Sequence, residues 1–399
     1  MTTQPQMVRA TKKTPKRAGR ADVLAAKNVL ALVDRTFGDD LHAKTVLSLA
    51  MGVVGVLHAA SLGIHAIGRG LAAAKGLKFK HATKQVDRLL SNGKVHLWRL
   101  FSAWVEFVVG PRTELYVAMD WTEFDADDQA TICLYLVTNH GRATPLVWHT
   151  VYKSTLEGKR NGYEDEVLEC LRDALPKTTR VTILADRGFG DQKRYEHLQS
   201  LAFDYIVRFR QDILVTDQFG DQRPASGWLN PNGRARLLKN MAVTGDFHMV
   251  PGVVTVHDKR MKDPWCLATS RTDLAASEIV KLYGRRFTIE ETFRDTKDIH
   301  FGMGLAATHI GDSSRRDRLL LLGAVAHALL TLLGEAGERA GMGLKANTSK
   351  TRQLSLYHQG CFWYDALPNL PHERLAPLMQ CFDDTLREHR FFREIFGII

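Results

Sequence analysis

The chain has 399 residues, enough for roughly two to three domains, and its 45% hydrophobic and 25% charged residues exclude a disordered or collagen-like polymer. The formal net charge is +10, from 54 Lys and Arg against 44 Asp and Glu, which suits a polyanion such as nucleic acid and equally a basic enzyme with no such partner. Five scattered cysteines, Cys133, Cys170, Cys266, Cys361 and Cys381, form no C-x-x-C pair, which argues against a disulfide framework or a zinc site and fits a reducing cytoplasm.

Residues 1–20 read as a basic tail (Arg9, Lys12, Lys13, Lys16, Arg17, Arg20), disordered when free, with no apolar segment of a secretory signal. Residues 21–112 read as a helical domain, with helical spacing over Ala21–Phe37, Leu41–Leu57 and Gln85–Phe107. The apolar run Val46 to Gly68 carries Ser48, His58, Ser61, His65 and four glycines, and reads as buried helices in a soluble domain rather than a membrane span. Lys75, Lys78, Lys80, His81, Lys84 and Arg88 place cations on a loop and the helix after it. A helix with that charge suits a DNA end, with Lys80, Lys84 and Arg88 as contacts, or is an ordinary solvated face.

At about residue 113 the periodicity changes. Glu114–Trp121, Gln129–Val137 and Ala143–Tyr152 read as strands, followed by helix Glu164–Leu175, strand Arg180–Ala185, helix Gln192–Leu201 and strand Tyr205–Phe209. That order predicts an α/β architecture, a mixed sheet with helices on its faces, spanning 113–315. Residues 210–272 are turn-rich, with strand-like Val253–Val256 and Trp265–Thr269, and read as a β-rich insertion. A helix is expected from about Leu274 to 299, and residues 316–399 read as a helical C-terminal region containing the apolar Leu319–Leu333.

Two aspartates end buried strand patterns, Asp120 after YVAM and Asp186 after VTILA. A carboxylate there emerges where open α/β sheets hold ligands, although a strand-ending Asp also simply starts a turn. Tyr283, Arg286, Glu290 and Lys297 are spaced by three, four and seven residues and on a continuous helix share one stripe within roughly 60°. Such a stripe is either a surface laced with ion pairs or a carboxylate flanked by phosphate-holding cations. Glu291 lies about 100° around the helix and points elsewhere.

YGRRFTIEETFRDTK resembles the Y-x2-R-x3-E-x6-K signature of bacterial DDE transposases of the insertion sequence 4 family, and AMDW at Asp120 and ILADRGF at Asp186 match the family's aspartate contexts in order. The resemblance covers residues 113–310 and implies a ribonuclease-H-like fold. Asp120, Asp186 and Glu290 would then be catalytic and hold two Mg²⁺ or Mn²⁺ ions. It further implies that Tyr283, Arg286 and Lys297 touch phosphates of double-stranded DNA at the transposon end, and that Trp265 stacks a flipped base. Arg187, Arg208, Arg210 and Arg294 are candidate backbone contacts. The implied reaction is cut-and-paste transposition of an insertion sequence through nicking, hairpin formation and strand transfer, by a cytoplasmic, nucleoid-associated homodimer assembled on DNA. The apolar helix after 318 and Phe362, Trp363 and Phe391 could serve that interface or the core. No G-x4-G-K-[ST] implies a nucleotide, and no H-x3-H or H-E-x-x-H implies zinc. The alternatives are an end-binding protein without catalysis and a ribonuclease-H-like nuclease that cuts without joining.

Overall fold

Five helices precede the first strand in the computed structural model, which describes residues 26–300, 302–343 and 354–387. The basic tail and Phe391 lie outside them. The helices are α1 (Ala26–Phe37), α2 (Ala43–Ala59), α3 (Ile64–Lys75), α4 (Phe79–Leu90) and α5 (Leu97–Val109). The apolar run from Val46 to Gly68 is largely buried and belongs to α2 and α3, which meet at a bend of 97°. Glycines let these two backbones touch. A Cβ on Gly70 would lie 2.4 Å from the carbonyl oxygen of Gly55. The single helix expected over Gln85–Phe107 is instead the end of α4 and the whole of α5. Asn92 breaks it, because its side chain accepts the Lys94 amide at 3.0 Å and closes a local turn that competes with the helix.

A ten-stranded open mixed sheet follows, formed by β1 (Glu114–Phe124), β2 (Gln129–Leu136), β3 (Thr144–Tyr152), β4 (Arg180–Ala185), β5 (Asp204–Phe209), β6 (Leu214–Thr216), β7 (Gln222–Pro224), β8 (Arg236–Val243), β9 (His248–Val256) and β10 (Trp265–Thr269). Its order is β3-β2-β1-β4-β5-β10-β9-β8-β6-β7. β1, β4 and β5 run parallel, joined through α6 (Arg160–Asp173) and α7 (Gln192–Ser200), while the outer pairs are antiparallel. Most of β1, β4 and β5 is buried, as expected for parallel strands covered on both faces, and the antiparallel β2 beside them is buried throughout. The β-rich stretch at 210–272 does form strands, and β10 pairs directly with β5, so they extend the same sheet.

Beyond the sheet run α8 (Ala276–Gly284), α9 (Thr288–Lys297), α10 (Ser313–Arg339), α11 (Leu356–Ala366) and α12 (His372–Arg387). A 3₁₀ turn at Arg285–Phe287 interrupts the helix expected to run from Leu274 to 299. The 27-residue α10 is long and apolar enough to cross a membrane, yet 89% of its most apolar window is buried inside the protein, as in a core helix. Its polar first turn is anchored too. The buried Arg316 guanidinium donates to Gln129 at 2.6 Å, pairs with Asp127 and lies 3.9 Å over the Phe124 ring, locking α10 onto the end of β1.

Candidate active site

The parallel register of β1 and β4 brings two acids to one place. Met119 pairs with Ala185 as the last β1–β4 partners, so Asp120 and Asp186 occupy the next register position on adjacent strands. Asp186 follows β4 and caps the 3₁₀ turn Arg187–Phe189 by accepting the Arg187 amide. Asp120, read from sequence as a strand end, lies inside β1, because the strand continues to Phe124 through pairing with β2. Its strand-end character exists only on the β4 side. Glu290 arrives from α9, in the first turn of that helix.

Arg286 gathers these acids. Its guanidinium is almost fully buried and donates to Asp120 Oδ2 at 2.9 Å and Glu290 Oε1 at 2.8 Å. Burial raises the pKa of Asp120. Arg286 and the Trp121 amide, 2.9 Å from Oδ1, pull it down, while the charges of Glu290 and Asp186 push it up again. The Arg286 pKa is likewise raised. Burial opposes its charge, but Tyr283, Asp120, Asp186 and Glu290 together outweigh that cost. All three acids therefore act on one cation, two through hydrogen bonds and Asp186 through its field.

Three contacts not foreseen from sequence hold this arrangement. Trp121, whose amide caps Asp120, donates its indole N–H to Glu164 on α6 at 2.7 Å, and Glu164 pairs with buried Arg194 of α7 at 2.6 Å. Thr292 on α9 exchanges 3.0 Å hydrogen bonds with the amide and carbonyl of Ala143. Arg142 pairs with buried Asp295, one turn further along α9. No short motif marks these residues, since each pair is separated by 30 to 153 positions.

The expected DNA contacts divide by exposure. Arg187, Arg210 and Arg294 are exposed, although Arg294 pairs with Glu291. Arg208 is half-buried and donates to the Pro264 carbonyl at 3.4 Å. Lys297 turns inward, donating to Thr122 Oγ1 at 3.1 Å and the Glu123 carbonyl at 2.7 Å, and so ties the end of α9 to β1. Trp265 is half-buried, with its ring 4.9 Å from Tyr283 and 6.0 Å from Phe287. Tyr283 departs most from expectation. It has no exposed surface through which to touch a phosphate, and burial first of all raises its hydroxyl to about 12. Its ring lies 5.9 Å under the Arg286 guanidinium, so it faces the same cation as Asp120 and Glu290 from the buried side. Lys80, Lys84 and Arg88 are exposed on α4.

Carboxylate oxygens are the hard donors that suit a divalent cation, and the upward push of two neighbouring acids on Asp120 is the like-charge strain such an ion relieves. As arranged, the Arg286 guanidinium stands between Asp120 and Glu290 in the place of that ion. Among the described residues no group of three or more His, Cys, Asp or Glu is spaced to hold a metal. The donor chemistry fits; sharing an ion requires Arg286 to turn aside.

No curated protein matches the chain. Residues 149–329 match the family model described as transposase DDE domain, a span that contains Asp186, Arg286 and Glu290 and begins after Asp120. Domains of that family generally depend on divalent metal and act on DNA, and the match supports a DDE transposase.

Proposed function

We propose that this chain is a transposase of the insertion sequence 4 type, with a ribonuclease-H-like core, in which Asp120, Asp186 and Glu290 form one catalytic acid set. The observation that carries the reading is the meeting of all three acids on Arg286, from two adjacent parallel strands and a helix whose Glu290 stands 170 positions after Asp120. The reaction is cut-and-paste: hydrolytic nicking at the element's end, attack of the freed 3′-hydroxyl on the opposite strand, hairpin opening, and joining to target DNA. A homodimer on double-stranded DNA holds both ends, no nucleotide cofactor is required, and the setting is the bacterial cytoplasm.

Two Mg²⁺ or Mn²⁺ ions, held by the three acids, would supply charge stabilisation to the phosphoryl oxygens and acidify the attacking hydroxyl. The protein's own groups do the rest. Arg286, which bonds to Asp120 and Glu290, would offer its planar donors to a non-bridging phosphate oxygen once those acids hold cations. Lys297 keeps α9, and with it Glu290, against β1. The half-buried Trp265 offers a ring face for an unstacked base, and Phe287 at 6.0 Å walls the same aromatic cluster. Trp265→Ala should slow hairpin formation more than first-strand nicking; equal slowing would remove that role.

The test uses a labelled duplex carrying the inverted repeat that flanks the coding region, with Mg²⁺. Nicked product followed by strand transfer supports the proposal. Nicking alone would leave a nuclease, and end binding without nicking would leave a DNA-binding protein.

A further inference from the structure

We infer that Glu164 is a positioning residue for the reaction: through the Trp121 indole it fixes the peptide group that caps Asp120, and so decides which Asp120 oxygen faces the site. The inference rests on the reading of Asp120 as a catalytic acid and extends that reading to a residue on the other face of the sheet. Strand β1 loses a neighbour where the acid stands. Its last residue paired to β4 is Met119, opposite Ala185, whereas pairing with β2 continues through Asp120 and Trp121 to Phe124. The Asp120–Trp121 peptide is therefore laddered on one side only. Successive side chains of a strand point to opposite faces, so Asp120 meets Arg286 on one face and Trp121 meets α6 on the other. The Trp121 amide donates to Asp120 Oδ1 at 2.9 Å, which leaves Oδ2 to Arg286. A swing of this peptide would release Oδ1 and turn the carboxylate.

The indole restrains that peptide, gripped at its edge and its face by two residues one turn apart on α6. Glu164 Oε1 accepts the indole N–H at 2.7 Å, and the Arg160 guanidinium lies 4.9 Å over the ring. Arg160 also stands 3.9 Å from the same Glu164 oxygen. The second Glu164 oxygen accepts from Arg194 Nη2 at 2.6 Å, which sets the direction of the first. Arg194 is held independently, by Asp165 and by the Asn161 carbonyl at 3.4 Å. Packing alone does not call for this chain of charges. Glu164 and Arg194 are both buried, and apolar residues of similar volume in place of a buried ion pair are often neutral or stabilising. A carboxylate supplies what an apolar residue cannot, a directional acceptor for the indole next to the acid. Partners behind a metal-holding group orient it, and removing one costs roughly 10–100-fold in metal affinity or activity.

The experiment titrates Mn²⁺ into the full chain by calorimetry without DNA, and follows Mg²⁺-dependent nicking of the inverted-repeat duplex beside it. Trp121→Phe keeps a ring under Arg160 and removes the N–H. It should weaken Mn²⁺ binding roughly 10–100-fold and slow nicking alongside, with duplex binding unchanged. Glu164→Ala should do the same, and Glu164→Gln, which keeps an acceptor for the indole, should recover most of that loss. Asp165→Asn loosens Arg194 without touching the indole bond; it should lower urea stability and leave Mn²⁺ affinity at the wild-type value. Wild-type Mn²⁺ affinity in Trp121→Phe, no recovery in Glu164→Gln, or an equal loss in Asp165→Asn would overturn the assignment. A wild-type chain that neither binds Mn²⁺ nor nicks would end the catalytic reading and this one with it. A nicking wild type matched by Trp121→Phe would end this one alone.

Discussion

Arg286 is the residue on which the site's electrostatics turn. Removing it leaves Asp120 facing Glu290 and Asp186 with its main stabilising charge gone, so the Asp120 carboxyl should titrate higher in Arg286→Ala than in wild type. Carbon NMR titration, with the resonance assigned by Asp120→Asn, measures this; an unmoved midpoint would mean that Arg286 does not control the acid. The same variant should lose cleavage by roughly 10²–10³-fold, the usual cost of removing one preorganised donor. Behind Asp120, Glu164 and Arg194 are 4% and 1% exposed at their side chains, and breaking such a buried pair costs about 3–5 kcal/mol. Glu164→Ala should therefore lower urea stability by about that amount, and a near-neutral change would show that Asp165, which also pairs with Arg194, compensates its charge alone. The three acids could be named from sequence because each sits in a local pattern. Tyr283 and Lys297 belong to the same signature, but spacing does not reveal tertiary packing: Tyr283 is fully buried, and the half-buried Lys297 is bonded to β1.

At the scale of elements, α10 carries a half-buried acid with a shifted titration. Asp317 is pushed up to about 8 by burial, partly offset by hydrogen bonds from Thr150, whose amide lies 3.1 Å from Oδ1 on β3. Between its unfolded value near 3.8 and about 8 the native state keeps a proton that the unfolded chain has released, so this group's contribution makes stability fall as pH rises through that window and level off above it. Asp317→Asn should flatten that slope in urea melts taken across the window, and an unaltered slope would place the acid's titration elsewhere. The crossing of α10 and α11 is equally specific. A Cβ on Gly360 would lie 1.7 Å from the Leu330 carbonyl oxygen, so Gly360→Ala should cost at least about 1–3 kcal/mol through overpacking. The succession of strands and helices from Glu114 to Phe209 and several boundaries, including Arg180–Ala185 and Trp265–Thr269, were legible because β-branched and apolar runs are bounded by turn residues. Two helix breaks were not. One depends on the Asn92 side chain and the other on a single 3₁₀ turn, and neither interrupts the apolar spacing.

Over the whole molecule, one sheet connects the parts. The β-rich stretch 210–272 reads as an insertion because its turns and short strands break the helix–strand rhythm; that it extends the main sheet by pairing β10 to β5 depends on long-range register that no local pattern carries. The same sheet sets Asp120 beside Asp186, and α10 links it to the basic helix α4 through Asp87 and Arg315. The central claim is that three acids distant in the chain work as one centre on a phosphodiester. Cleavage of the labelled inverted-repeat duplex in Mg²⁺ by Asp120→Ala, Asp186→Ala and Glu290→Ala tests it most directly, with duplex binding measured alongside. Each variant should bind the duplex and fail to nick it; wild-type nicking by any one of the three would contradict a shared centre.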